Sequence, residues 1–229
     1  MKALFLAAIF LFSLPQAFAS DKHVNISLKG TKFIYPLPVG WCDITQTESG
    51  INALSYLQAV NNQADVGINV RLILKPCKRI SSAYPWAYVA LSELDKFSGS
   101  SQYVFNQTMK RFLNTGFPDE VLDSLSKSVS DNSKEMFDVE IKSDSSAVNN
   151  SVILKSDDNS LSFYAEQTSK VGGEILHEFT LTSLTTVKGK SVNTYYFNDV
   201  TESYYNTNNV KLLIENAKNI AELNRRSDK

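Results

Sequence analysis

Apolar and polar residues alternate from early in this chain. Val24, Ile26 and Leu28 are spaced as in a half-buried strand, and Lys29-Gly30 turns into a second short strand over residues 32–35. The segment 36–42 follows, where two prolines enforce an extended backbone and Gly40 permits a turn just before Trp41. Residues 51–60 carry Ala53, Leu54 and Leu57 at a spacing that fits a short helix or an irregular strand. Residues 66–74 give the clearest strand. Val66, Ile68, Val70, Leu72 and Leu74 are expected on one buried face, Gly67, Asn69 and Arg71 on a wet one, with Ile73 as an exception. Residues 86–91 read as a further strand.

The period then changes to that of helices. Ser100 or Ser101 can cap a helix over residues 102–114, with Val104 or Phe105, then Met109, Phe112 and Leu113, as its apolar stripe. Gly116 ends it. Pro118 opens a second helix with Asp119 and Glu120 at its positive end and Val121, Leu122, Leu125 and Val129 on its buried side. The short joint predicts an αα-hairpin. From Met136 the alternation of strands returns through Phe137, Val139 and Ile141. A hairpin joins residues 152–154 to 161–167 through the turn 156–160. Gly172-Gly173 and Lys188-Gly189 turn a meander of up to five strands, and Asn208 or Asn209 caps a closing helix with Val210, Leu213, Ile214, Ala217 and Ile220 or Ala221 buried. Strands, a helix pair, a meander and a last helix predict an α+β fold: an antiparallel sheet packed by helices.

The first nineteen residues change the picture. A positive start at Lys2, an apolar run over residues 3–14 broken only by Ser13, and Ala17-Phe18-Ala19 form the three parts of a secretory signal peptide, cleaved after Ala19. The run is shorter than the ~20 residues a membrane span needs, so stable membrane insertion is not expected. The expected mature protein is a single α+β domain over residues 20–229, exported to the periplasm or the extracellular space. Cleavage takes one lysine and no acid from a chain of net charge −1, leaving −2. A near-neutral surface gives no electrostatic reason to bind nucleic acid or an anionic membrane. Cys42 and Cys77, an even pair in an oxidising compartment, are expected to form one disulfide. Closing that loop is worth about 3–4 kcal/mol in the chain-entropy model.

Three stretches, read together, resemble a known family: residues 35–41 (Tyr-Pro-Leu-Pro-Val-Gly-Trp), the central helix pair, and the hairpin over residues 182–190 before the last strand and closing helix. Their layout is similar to the Mog1/PsbP-like α/β/α sandwich. The resemblance implies an accessory or binding protein without catalysis, as in photosystem subunits and bacterial envelope proteins, and it carries over no catalytic residue.

Candidate chemistry is sparse. Ser124-Leu125-Ser126-Lys127 and Ser130-Asp131-Asn132 mimic two elements of penicillin-interacting enzymes. They fall in one predicted helix, and the third element, Lys-Thr-Gly, is missing. Gly189-Lys190-Ser191 ends like a phosphate loop, but the leading glycine position holds Leu184. His23 and His177 lack the partners of a zinc site, and Asp157-Asp158-Asn159 lacks the spacing of a calcium loop. The carboxylates of Asp119, Glu120 and Asp123 suit a helix start as well as glycosidase chemistry. Asn25, Asn106 and Asn149 head glycosylation triplets. Catalytic, metal and cofactor residues are therefore not assigned. Tyr35, Trp41, Trp86 and Tyr88, gathered around the expected disulfide, are candidates for a partner-binding surface, and Tyr195, Tyr196, Tyr204 and Tyr205 form a second aromatic group. The expected function is an exported, non-catalytic accessory protein that binds an envelope or secreted protein. The alternatives are an exported hydrolase with a nonstandard site and a secreted effector.

Overall fold

Two Lys-Gly pairs set the hairpins of this fold. Lys29 and Gly30 take φ 45° and 83°, and Lys188 and Gly189 take 52° and 68°. Such two-residue left-handed turns match the twist of the strands they join. The computed structural model describes residues 23–65, 67–79, 85–93, 101–115, 119–137, 141–143, 150–171, 174–199 and 207–226. The expected signal segment, Val66, Gly116, Pro118, Val139, Asn149, Gly172, Gly173, Tyr204 and Tyr205 lie outside the described residues.

Strands β1 (His23–Leu28) and β2 (Thr31–Pro36) form a separate antiparallel ribbon. An eight-stranded sheet follows, built from β3 (Trp41–Asp43), β4 (Ile68–Pro76), β5 (Trp86–Glu93), β6 (Ile141–Ser143), β7 (Asn150–Ser156), β8 (Leu161–Val171), β9 (Glu174–Val187) and β10 (Lys190–Asp199). Its order is β3-β4-β5-β10-β9-β8-β6, with β7 also paired to β8, and these pairings are all antiparallel. Among the described residues four α-helices complete the fold: α1 (Glu48–Gln63), α2 (Gln102–Thr115), α3 (Asp119–Phe137) and α4 (Thr207–Arg226). This is the expected α+β architecture, with an antiparallel sheet covered by helices on both faces.

Residues directly opposite one another on neighbouring strands share a face. On one face Leu72, Leu74, Val89, Leu91, Leu181 and Val192 meet β1, β2 and α4 in the main core. Ala217 and Ala221 are small and buried, which lets α4 lie close along β9. On the other face α1 covers Val70, Ile73 and Ala90, and α2 covers Leu161, Phe163 and Leu184 through Phe105, Met109 and Leu113. Residues 51–60 are thus helical. Thr47 caps α1 by accepting from the Gly50 N–H at 3.1 Å. Gly50 is required here for space: a Cβ would lie 1.9 Å from the Ile44 carbonyl oxygen.

Three expectations are corrected. First, β4 does not place Ile68, Val70, Leu72 and Leu74 on one face. A bulge at Arg71 shifts the register between Val70 and Leu72, so Val70 and Ile73 share the α1 face while Leu72 and Leu74 turn to the α4 face. Both faces of this strand are buried, and Ile73 is no exception. Second, α2 and α3 do not pack as a hairpin. α2 lies on β7 and β9, whereas α3 lies on α1 and β6. The α1–α3 seam is polar: Ser128 Oγ donates to the Val60 carbonyl at 2.7 Å, Asn132 Nδ2 to Gln63 Oε1 at 2.5 Å, and Tyr56 and Ser133 bond at 2.8 Å. Third, the helix runs on through Met136 to Phe137, and the described part of the strand is Ile141–Ser143. These α1–α3 contacts are hydrogen bonds, which a hydrophobic pattern does not register.

Candidate functional site

The aromatic candidates divide between the two faces of the sheet. Tyr35 (0% exposed) and Trp41 (6%) sit in the α4-side core, where Tyr35 is enclosed and Trp41 lines the recess described below. Trp86 and Tyr88 are half-buried on the opposite face. There they join Tyr195 and Phe197, their direct neighbours on β10. Trp86 stacks on Phe197 at 4.4 Å between ring centres, and Tyr88 on Tyr195 at 4.6 Å. Burial pushes the Tyr195 hydroxyl up to about 12 and that of Tyr88 well above the usual tyrosine range. The four residues named from the sequence therefore do not form one cluster.

Cys42 and Cys77 are disulfide-bonded, with Cα atoms 5.1 Å apart. The bridge ties the edge strand β3 to the turn after β4. It closes a small assembly around the Pro38–Trp41 turn. The Trp41 N–H donates to the Pro38 carbonyl at 2.9 Å, the Cys77 N–H donates to the Gly40 carbonyl at 2.8 Å, and Gly40 takes φ 81°. That φ favours glycine, which explains its place directly before the tryptophan.

This turn forms one wall of a narrow recess, whose free space is about 20 Å³, little more than a water molecule needs. Pro38 and Trp41 stand on one side, Leu212, Leu213 and Asn216 of α4 on the other, and Leu74, Ala87, Thr194 and Tyr196 of the sheet lie between them. The Trp41 ring meets Tyr196 edge-on at 5.1 Å. The lining is mainly apolar, with a fixed polar floor. Asn216 Nδ2 donates to the Tyr35 hydroxyl oxygen at 2.9 Å, and the Tyr35 and Thr194 hydroxyls hydrogen-bond at 3.2 Å. Burial raises Tyr35 to about 12 against the opposing pull of those two hydrogen bonds. The phenol is thus a neutral structural hydroxyl at physiological pH. Beside the recess, at the tip of the turn, Val39 is 89% exposed. Sequence reading reached the turn but missed the recess, because its lining comes from five separate segments.

The catalytic mimics serve the fold. Asp131 and Asn132 both hydrogen-bond to Gln63 of α1, and Ser124 and Lys127 lie on the same helix α3. Asp123 is exposed on that helix, and His23 is exposed at the start of β1. His177 lies on β9 opposite Thr168 of β8. Lys188-Gly189 is a hairpin turn, and Asp157 closes the β7–β8 turn by accepting from the Asn159 and Ser160 N–H groups at 2.8 and 3.0 Å. Asn106, at the head of one glycosylation triplet, is 3% exposed and donates to the Asp157 carbonyl at 2.8 Å, so it is not available as an acceptor. Asn25 is exposed on β1. Among the described residues no three metal-ligating side chains gather, and no helix is long and apolar enough to cross a membrane.

No family model matches the chain, and no curated protein matches it. Solved structures similar to it include the cyanobacterial PsbP (CyanoP) from Synechocystis sp. PCC 6803, at 17% identity and a TM-score of 0.39, covering 87% of this chain and 91% of that one. Another is the Ran-binding protein Mog1p of Saccharomyces cerevisiae, at 8% identity and a TM-score of 0.32, covering 89% of this chain and 93% of that one. The PsbP and Mog1 structures to which the sequence pattern pointed are thus among those this chain is similar to, while its α+β class rests on the strand order and helix packing described above.

Proposed function

We propose that this chain is an exported, non-catalytic accessory protein that engages an envelope or secreted protein at the recess between the Pro38–Trp41 turn and α4. The recess itself carries the reading. It joins apolar walls to a fixed polar floor, and an exposed valine projects beside it. Mixed apolar and polar lining of that kind suits a shallow contact with a partner's surface rather than a deep ligand pocket. The signal-like N-terminus and the Cys42–Cys77 bridge support an oxidising destination.

A photo-crosslinking residue placed at Val39 tests this in the native envelope, with the same residue at exposed Gln107 of α2 as the reference. One reproducible protein adduct from position 39, absent from position 107, is the expected result. No adduct at 39, or the same adducts from both positions, would remove the recess as the working surface.

A further inference from the structure

We infer that the Cys42–Cys77 disulfide is a redox-operated latch on the recess: oxidised, it holds the Pro38–Trp41 wall in place, and reduced, it lets that wall open while the rest of the fold stays closed. The consequence for binding rests on the recess being the working surface; the latch itself does not.

Apart from the packing of Trp41 on Tyr196, few ties hold this wall. β3 pairs with β4 over only three positions, Trp41 with Pro76, Cys42 with Lys75 and Asp43 with Leu74, and it is the edge of the sheet. The segment is anchored firmly at either end, by buried Tyr35 before it and by Ile44 after it, whose N–H donates to the Ile73 carbonyl at 2.9 Å. Between those anchors the disulfide is the one covalent tie, reinforced by the single Cys77-to-Gly40 hydrogen bond. The strands β4, β5, β10, β9 and β8 pair continuously without β3. Local opening of a short edge segment is the motion such an arrangement permits at low cost.

The bridge is also reachable and chemically disposed to exchange. Both cysteines are half-buried rather than enclosed. Lys75 stands directly opposite Cys42 and shares its face of the strand pair. A lysine on the same face favours release of Cys42 as the thiolate. A dithiol reductant, such as a thiol–disulfide exchange protein, would attack the Cys77 sulfur as a thiolate and form a mixed disulfide. The Cys42 thiolate is released and takes up a proton. The second thiol of the reductant, as its thiolate, then displaces Cys77, which is likewise protonated, and the reductant closes as a disulfide. Two electrons and two protons pass to the Cys42–Cys77 pair, and the reverse exchange relatches the wall.

The test follows Trp41 in a Trp86→Phe variant, where it is the remaining tryptophan. On reduction by tris(2-carboxyethyl)phosphine, acrylamide quenching of Trp41 should rise at least about twofold while the melt stays cooperative, as local opening requires. A Cys42→Ser/Cys77→Ser variant should resemble the reduced state. In the unmodified protein, hydrogen exchange should quicken at the Trp41 and Cys77 amides but not in β9 or β10, which checks the result without the Trp86 substitution. Lys75→Met should slow reduction several-fold. Unchanged quenching and exchange with both thiols titrating free would overturn the latch. So would loss of the cooperative melt on reduction, since the bridge would then staple the whole fold. If position 39 captures no partner in either redox state while Trp41 still opens on reduction, the binding reading falls and the latch stands.

Discussion

Asn224, near the end of α4, exchanges two hydrogen bonds with the backbone of Ile34, 190 positions earlier in the chain. The Ile34 N–H donates to Asn224 Oδ1 at 2.8 Å, and Asn224 Nδ2 donates to the Ile34 carbonyl at 2.8 Å. The amide thus stands in for a strand beside the free edge of β2, and it is 0% exposed. It fixes the β1–β2 ribbon and α4 as one layer over the sheet.

Asn224→Ala should therefore cost more than its volume suggests. Two buried backbone groups of Ile34 lose their partners, which corresponds to about 2–4 kcal/mol. Urea denaturation of the variant against the parent measures it. A change below half a kilocalorie would mean that water replaces the amide and that the pairing does not hold the layer.

Alkaline pH should weaken the fold. Tyr35 ionises at about 12 in the folded protein, above its value of ~10 in an unfolded chain. Between those values the folded state holds the proton that the unfolded state has released, so stability falls as pH rises. The contribution is complete below pH ~10 and is lost by ~12, about 2–3 kcal/mol for this residue. Tyr88 and Tyr195 shift in the same direction and steepen the fall. Melting temperatures from pH 8 to 11.5 check the sign. Tyr35→Phe should flatten the alkaline limb while lowering stability at pH 8, because Asn216 and Thr194 lose their shared partner.

Much of this was legible in the chain. Alternation located β1, β2, β5 and the β8–β10 meander, and the two Lys-Gly turns carry their own conformational signature. The cysteine pairing followed from count and compartment and is met by the bridge. What pattern could not supply was tertiary. α3 extends through Met136 because Ser128, Asn132 and Ser133 are bound along α1, and serine and asparagine in a helix read as solvent-facing. Asn216 and Asn224 carried no signal for the same reason, although one forms the recess floor and the other holds β2. Trp41 reads equally well as a partner contact or as core, and packed on Tyr196 beside α4 it is a core residue that also lines the recess.

The bulge in β4 gives the sharpest test of how pattern and structure relate. With Arg71 set aside, Ile68, Val70 and Ile73 fall on the α1 face and Leu72 and Leu74 on the α4 face in strict alternation. Deleting Arg71 should thus keep every core residue on its own side. It also removes a buried Nε that has no hydrogen-bond partner. The expected loss is about 1–2 kcal/mol, from shortening the approach to β4 by one residue. Deleting Leu72 instead restores the alternation by turning Arg71 into the main core, where an unpaired guanidinium costs about 3–5 kcal/mol. Paired urea melts of the two deletion variants decide the matter. The first should melt cooperatively near the parent and the second far below it or not at all. Equal losses would mean that the bulge does not set the register of this strand.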